Sequence, residues 1–263
     1  MKPRELLPPL DICGTVEGVL RANASEARQP ASRRQSSESL QLEQANLTTR
    51  EQIKRVAQRL LVLDGYPSMR LADVADELGI TRANVHYHFG SKQALVEEIV
   101  DDYVTNLLQR YELIWTSAET SYAQKVRETI EFNRWRFKQY HDGSLAGGRP
   151  WSLLDRMRGD VAHLTDNSRA MLWRLARVDG YVTTAVKMAQ ATGEIGRKAP
   201  AASVALQLSV IISCAGMITQ YWGGFEPLER IYLDHLALVL KAYPGIQQPN
   251  GAQEDDFSVS GET

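Results

Sequence analysis

Between Thr48 and Tyr243 the apolar residues recur at spacings of three and four, and Gly, Pro, Ser and Thr cut that pattern into separate rods. This is the period of one face of an α-helix. Leu71, Val74, Ala75 and Leu78 fall at i, i+3, i+4 and i+7, a short helix that Gly79 ends because glycine takes the left-handed conformation without a Cβ penalty. Thr81 is placed to cap a second helix that carries Val85 and Phe89 inward, and Gly90 ends it before Ser91 caps a third. Upstream, Thr48 or Thr49 can form a capping box with the residue three on. The helix that follows, through Ile53, Val56, Ala57, Leu60 and Leu61, runs to about Asp64, ends at Gly65 and is barred from continuing by Pro67.

Downstream, Leu95, Ile99, Tyr103 and Leu107 stand four apart on a rod that reaches Trp115, and a further helix is expected from Ser121 to His141. Asp142 to Gly148 is a loop by composition, and Pro150 suits the first turn of a short helix through Met157. A longer helix, capped by Asp166 or Asn167, should pass Met171, Leu175, Val178, Val182 and Val186 to about Ala191, where the run TGEIGRKAP breaks it. Pro200 to Trp222 is apolar on most of its circumference and must be covered on two sides; Pro227 to Tyr243 is amphipathic. The fold class is therefore all-α: an N-terminal three-helix domain at 47–107, then a larger helical domain at 108–245. Residues 1–46, with the run QPASRRQSSES, and the acidic tail 246–263 are expected to be disordered. Arg33 and Arg34 in the leader are either a flexible arm for a DNA groove or simply solvated.

The first domain carries the chemistry. Two short helices joined by a tight glycine turn, here at 70–89, are a helix-turn-helix. Ala75 falls where the helices must approach, Gly79 where the turn needs positive φ, and Val85 where the second helix plugs the first. That second helix is a candidate for the major groove, and Thr81, Arg82, Asn84, His86, Tyr87 and His88 on its outer side offer donors, acceptors and a flat ring. A solvated polar face is the alternative.

The string His86-Tyr87-His88-Phe89-Gly90-Ser91-Lys92, followed by Ala94-Leu95, resembles the hallmark of the TetR family of bacterial transcriptional regulators. The resemblance runs from about Thr48 to Leu107, and the family usually has Tyr where this chain has His86. It implies a dimeric DNA-binding regulator, most often a repressor, in which Lys92 contacts phosphate and the fourth helix links the head to a small-molecule domain. The cations Arg50 and Arg70 lie near helix ends, where a phosphate would approach.

Net charge is only −2 over 263 residues, so charge signals nucleic acid only locally. Thr48 to Lys92 holds seven Lys and Arg against five acids, a small excess that a dimer would double. Cys13 and Cys214 stand far apart, against a disulfide framework, and a reducing cytoplasm is expected. No basic, then apolar, leader announces secretion, and the Val204 to Trp222 run is too polar for a comfortable membrane span. His86, His88, His141, His163 and His235 have no chelating spacing, so no metal or cofactor is expected. Neither a phosphate loop nor a nucleophile elbow points to an enzyme.

The resemblance also implies an effector among the central helices. Trp135, Trp151, Trp173, Tyr181 and Tyr221 can line a cavity, and Arg134, Arg149, Arg174 or Arg177 can pair with an anion; each can equally be core or solvated. Trp151, after the loop, and Arg177, on the central helix, are the leading candidates. The two C-terminal helices carry excess apolar surface of the kind that a two-fold four-helix interface requires, making a homodimer the expected assembly. A DNA-binding protein without an effector, and a helical carrier or enzyme with a borrowed head, remain open.

Overall fold

A computed structural model describes residues 47–245 of the chain. The expected disordered ends, the Arg33 and Arg34 arm and Cys13 lie outside the described residues. Eleven α-helices and two short 3₁₀ turns make up the described part, with no strand among its elements.

The first three helices build the head. Helix α1 (Thr49–Ser68) starts on a full capping box between Thr48 and Glu51. Gly65, at φ 83° and ψ 169°, interrupts it at the position the sequence marks, and one further turn carries Pro67 before Met69 closes back on the Gly65 carbonyl. Helices α2 (Leu71–Leu78) and α3 (Arg82–Phe89) follow, then the long α4 (Lys92–Thr116), capped by Ser91. Ile53, Ala57, Leu61, Val74, Ala75, Val85, Leu95 and Ile99 are all buried and form the core of the head.

Helix α4 leaves that core and becomes a wall of the larger domain, where α5 (Tyr122–Gln139) packs beside it. Ser121 caps α5, and Glu194 reaches across from a distant loop to accept hydrogen bonds from the Tyr122 and Ala123 amides at 2.7 and 2.9 Å. Helices α6 (Leu153–Gly159), α7 (Asp166–Trp173) and α8 (Arg177–Thr192) come next. Then α9 (Ala201–Ser213), α10 (Ala215–Trp222) and α11 (Glu226–Ala242) complete the chain. The central α8 packs between α4 and α9, while α11 lies on α5, α9 and α10.

Three sequence expectations require correction. The short helix begins at Leu153 rather than Pro150, because the Trp151 indole is held inside by a 2.6 Å hydrogen bond to Thr219 Oγ1 and Ser152 takes the capping position. The long helix from 166 to 191 is two helices joined by a 3₁₀ turn at Arg174–Ala176, and Thr165, not Asp166 or Asn167, caps the first. A 3₁₀ turn rotates each residue further than an α turn. The register shifts there, keeping Leu175 within the turn and Val178 after it both buried. The apolar run from 200 to 222 bends by 57° between α9 and α10 instead of continuing as one rod. Among the described residues no single helix is long and apolar enough to cross a membrane; the two bent pieces reach that composition only together.

Candidate nucleic-acid interface

Helix α2 ends in a Schellman pair of bonds, Ile80 N–H to the Ala75 carbonyl at 3.0 Å and Gly79 N–H to the Asp76 carbonyl at 3.2 Å, with Gly79 at φ 65°. No atom lies within 4 Å of where a Gly79 Cβ would stand, so the requirement at this position is conformational rather than steric. The turn delivers Thr81, whose hydroxyl accepts from the Asn84 amide at 3.2 Å and starts α3. Val85 is fully buried beneath, and Phe89 lies at the same inner edge. Helix α3 thus hangs from its inner residues with its opposite flank open.

On that flank Thr81, Arg82, Asn84, His86 and Tyr87 are exposed, the Tyr87 ring at 86 %, and His88 is half-buried with its ring edge-on to Tyr87. The Arg82 guanidinium and Asn84 amide make no hydrogen bond or ion pair among the described residues. His86, where the family usually has Tyr, turns its Nδ1 to the Gly90 carbonyl at 2.9 Å and closes the end of its own helix. Arg50 is otherwise engaged: it forms a two-pronged ion pair with Glu98 and sits 4.4 Å over the Phe89 ring. Arg70 is largely exposed but paired with Asp73 at 2.8 Å. Lys92 lies 4.4 Å over the Tyr66 ring, and partial burial lowers its pKa against the opposing pull of Asp160.

The family model for bacterial regulatory proteins of the tetR family matches residues 53–99, the stretch that forms this head. The head of this chain is thus similar to the DNA-binding head of that family. It is 31 % identical over 77 residues to the HTH-type transcriptional repressor KstR2 of Mycolicibacterium smegmatis, a match covering 29 % of this chain and 37 % of that relative's length. The reduced form of Escherichia coli NemR superposes with a TM-score of 0.58 at 17 % identity, over 76 % of this chain and all of the other. A TetR-family regulator from Agrobacterium tumefaciens gives 0.62 at 17 % identity, over 72 % and 96 %. At such identities the likeness is one of fold.

The head is fastened to the larger domain by residues whose role no local sequence pattern announces. Arg156 of α6 donates through Nε to the Val62 carbonyl at 3.1 Å and through Nη2 to the Leu63 carbonyl, at the last regular turn of α1 before the Gly65 break. Asp160 accepts from the Tyr66 amide at 2.7 Å, and His163 stacks on the Tyr66 ring at 5.9 Å. The opposite side of α6 enters the bend between α9 and α10. Arg158 donates to the Ser213 carbonyl at 2.6 Å, and the Asp155 carboxylate lies so close to Gly216 that a Cβ there would stand 2.2 Å from it. Burial raises the Asp155 pKa, opposed by Arg158 and by a Ser152 hydrogen bond. The sequence shows only the run DRMRGD at 155–160, four charged residues in six at a helix end.

Of the five interior candidates, Trp135 and Trp151 adjoin the Phe132 and Arg136 side chains, and Arg177 and Tyr181 pair on α8. Trp151 is buried and lies over the Arg136 guanidinium at 4.9 Å, and Trp135 stacks on Phe132. Arg177 covers Tyr181 at 5.8 Å on α8. Trp173 does not line the interior, being 78 % exposed at the end of α7, whose Met171 and Leu172 point inward instead. Arg134 is held by Glu131 and Glu229, and Arg174 by Asp101.

Proposed function

We propose that this protein is a homodimeric, cytoplasmic transcriptional repressor that reads a double-stranded DNA operator through α3 and releases it when a small molecule occupies the larger domain. The observation that carries this is the pair Arg82 and Asn84, exposed near the start of α3, whose side chains make no hydrogen bond or ion pair among the described residues. Arg bonds guanine and Asn bonds adenine in bidentate fashion, each good pair contributing about 1 to 3 kcal/mol of discrimination. Thr81, His86, Tyr87 and His88 complete the flank; Lys92, Arg70 and Arg50 serve the phosphates, Arg50 only after giving up part of its pairing with Glu98. That the relatives are regulators supports a non-enzymatic role.

Support for the dimer is the apolar surface left open on the last helices, where Leu206, Val210, Met217, Tyr221, Trp222, Leu233 and Leu238 are all exposed. Two heads so joined would address successive major grooves about 34 to 36 Å apart. Genome-wide mapping of bound sites, then fluorescence anisotropy on the recovered sequence, tests the proposal. Arg82→Ala and Asn84→Ala should relax sequence preference, while Lys92→Ala should weaken all sequences alike and lower the salt slope by about one. Equal loss of specificity from all three would refute that division, and a monomeric mass at micromolar concentration would refute the dimer.

A further inference from the structure

Helix α5 turns a polar stripe inward. Lys125, Thr129, Asn133 and Arg136 recur along one side of it, and all four are buried. Lys125 is satisfied at once by the Ser117 and Thr120 carbonyls and the Thr120 hydroxyl. Asn133 accepts from Tyr111 and donates to Tyr232 at 3.0 Å. Arg136 differs: only 5 % exposed, it donates to the Tyr103 hydroxyl and to Asn133 Oδ1 at 3.1 Å, both neutral acceptors, and enters no ion pair among the described residues. The rings of Trp151, Phe132 and Tyr103 stand 4.9, 5.5 and 5.6 Å from its guanidinium carbon. Asp155 is the carboxylate whose field reaches it; its Oδ1 lies 3.5 Å from Arg158, its buried Oδ2 has no hydrogen-bond partner among the described residues, and it forms no ion pair with Arg136.

A buried guanidinium without an anion is costly, and ring faces offset only part of that cost. A second cation adds to the imbalance. Arg110 of α4 lies 5.6 Å from the same Phe132 ring, also without an ion pair among the described residues, and its Nε is buried with no partner. The Thr129 hydroxyl, fully buried two turns before Arg136 on the stripe, is likewise unpartnered. Buried polar atoms left unpaired in a native interior call for an occupant that would complete them.

We propose that Arg136 anchors the carboxylate of a small organic acid with an aromatic or acyl body, and that this acid is the effector. The inference rests on the regulator reading above and names its ligand class. A planar guanidinium fork matches a carboxylate in bidentate fashion, the surrounding rings suit an apolar body, and one or two cations balance a monoanion better than a polyphosphate.

The test uses the full chain and isothermal titration with benzoate, phenylacetate, hexanoate and decanoate, each beside its neutral amide. At least one acid should bind, with its amide weaker by tenfold or more. Arg136→Met should lose that binding tenfold or more while melting at the same temperature or higher, since it removes a buried charge with no anionic partner. Arg136→Lys, which keeps charge but not the fork, should bind at least threefold more weakly and carries the comparison if the Met variant fails to fold. Absence of binding by every acid, equal binding of acid and amide, or unchanged affinity in Arg136→Lys overturns the proposal. Acid binding that leaves operator affinity untouched sinks the effector role and keeps the site; operator binding without any acid binding sinks the site and keeps the regulator.

Discussion

Replacing Arg156 with Ala removes the two hydrogen bonds by which α6 holds the end of α1. Each joins a charged donor to a backbone carbonyl, that of Val62 at 3.1 Å and that of Leu63, in a partly buried setting. Bonds to charged groups are worth about 1.5 to 3 kcal/mol each, and water can replace part of that at a site it reaches, leaving about 2 to 4 kcal/mol for the pair. The loss should be local. Asp160 still accepts from the Tyr66 amide, and the buried side chains of the head core stay in place. Opening of the segment around residues 60–69 then becomes about thirty- to a thousandfold more frequent, at 1.4 kcal/mol per decade, up to the limit set by global unfolding. Hydrogen exchange read by mass spectrometry on peptides covering 60–69 and, as control, α11 measures this. Unchanged exchange at 60–69 would refute the clamp, as would equal acceleration in α11, which would mean that Arg156 supports the whole fold instead.

Glu98 is held below its usual carboxylate pKa of 4.5, first by the Arg50 hydrogen bond, then by the charges of Lys54 and Arg50 against opposing burial. A depressed folded pKa adds stability above the unfolded value that is lost as pH falls through the folded one, so urea midpoints should decline below about pH 4.5 and Glu98→Gln should flatten that decline. Gly216→Ala puts a Cβ 2.2 Å from Asp155 Oδ2 and 2.7 Å from Ser152 Cβ. It should destabilise by about 1 to 3 kcal/mol through crowding. Gly79→Ala meets no atom and should cost about 1 to 2 kcal/mol from backbone strain alone, so only at 216 should trimming the neighbour with Asp155→Ala recover stability in a double-mutant melt. Leu238→Glu on the open face of α11 should give a folded monomer by sedimentation; a stable dimer would move the interface elsewhere.

The head was legible because its determinants are local. Gly79, Thr81 and Gly90 set turn and cap geometry within a few residues, and Ala75 and Val85 follow from the helical period, so the structure needs nothing distant to place them. What escaped was set by partners far along the chain. The 200–222 run reads as one rod because nothing within it forbids a helix at Cys214; the bend coincides with α6 docking 55 residues upstream, Arg158 on Ser213. Its all-round apolarity suggested cover on two sides, yet Leu206, Val210, Met217 and Tyr221 are open in one chain. Among the arginines the sequence reading weighed 134, 149, 174 and 177 and omitted 136. Charge spacing cannot distinguish an arginine paired with neighbouring acids, as 134 is, from one turned into a ring-lined interior.

On the regulator reading proposed above, ten consecutive residues join the DNA-reading head to the anion site. Trp151 covers Arg136, Ser152 caps α6, Asp155 and Arg158 meet the bend between α9 and α10, and Arg156 and Asp160 grip α1. An anion arriving at Arg136 meets the Trp151 ring, and Trp151 is pinned to α10 through Thr219. Displacing it must therefore either break that bond or carry α10 and the start of α6 along. Since α6 is only seven residues long and bonded on both sides, movement at its first turn reaches the Val62 and Leu63 carbonyls with few intervening torsions to absorb it. A ligand can shift the heads only by as much as it favours one arrangement over the other, typically about 1 to 3 kcal/mol. The Arg156 bonds, at about 2 to 4 kcal/mol by the same reckoning as above, are strong enough to transmit that bias and weak enough to be broken by it at the upper end. Arg156→Ala should accordingly leave carboxylate binding intact while reducing its effect on operator affinity. Full release of DNA by the acid in that variant would place the coupling along α4 instead.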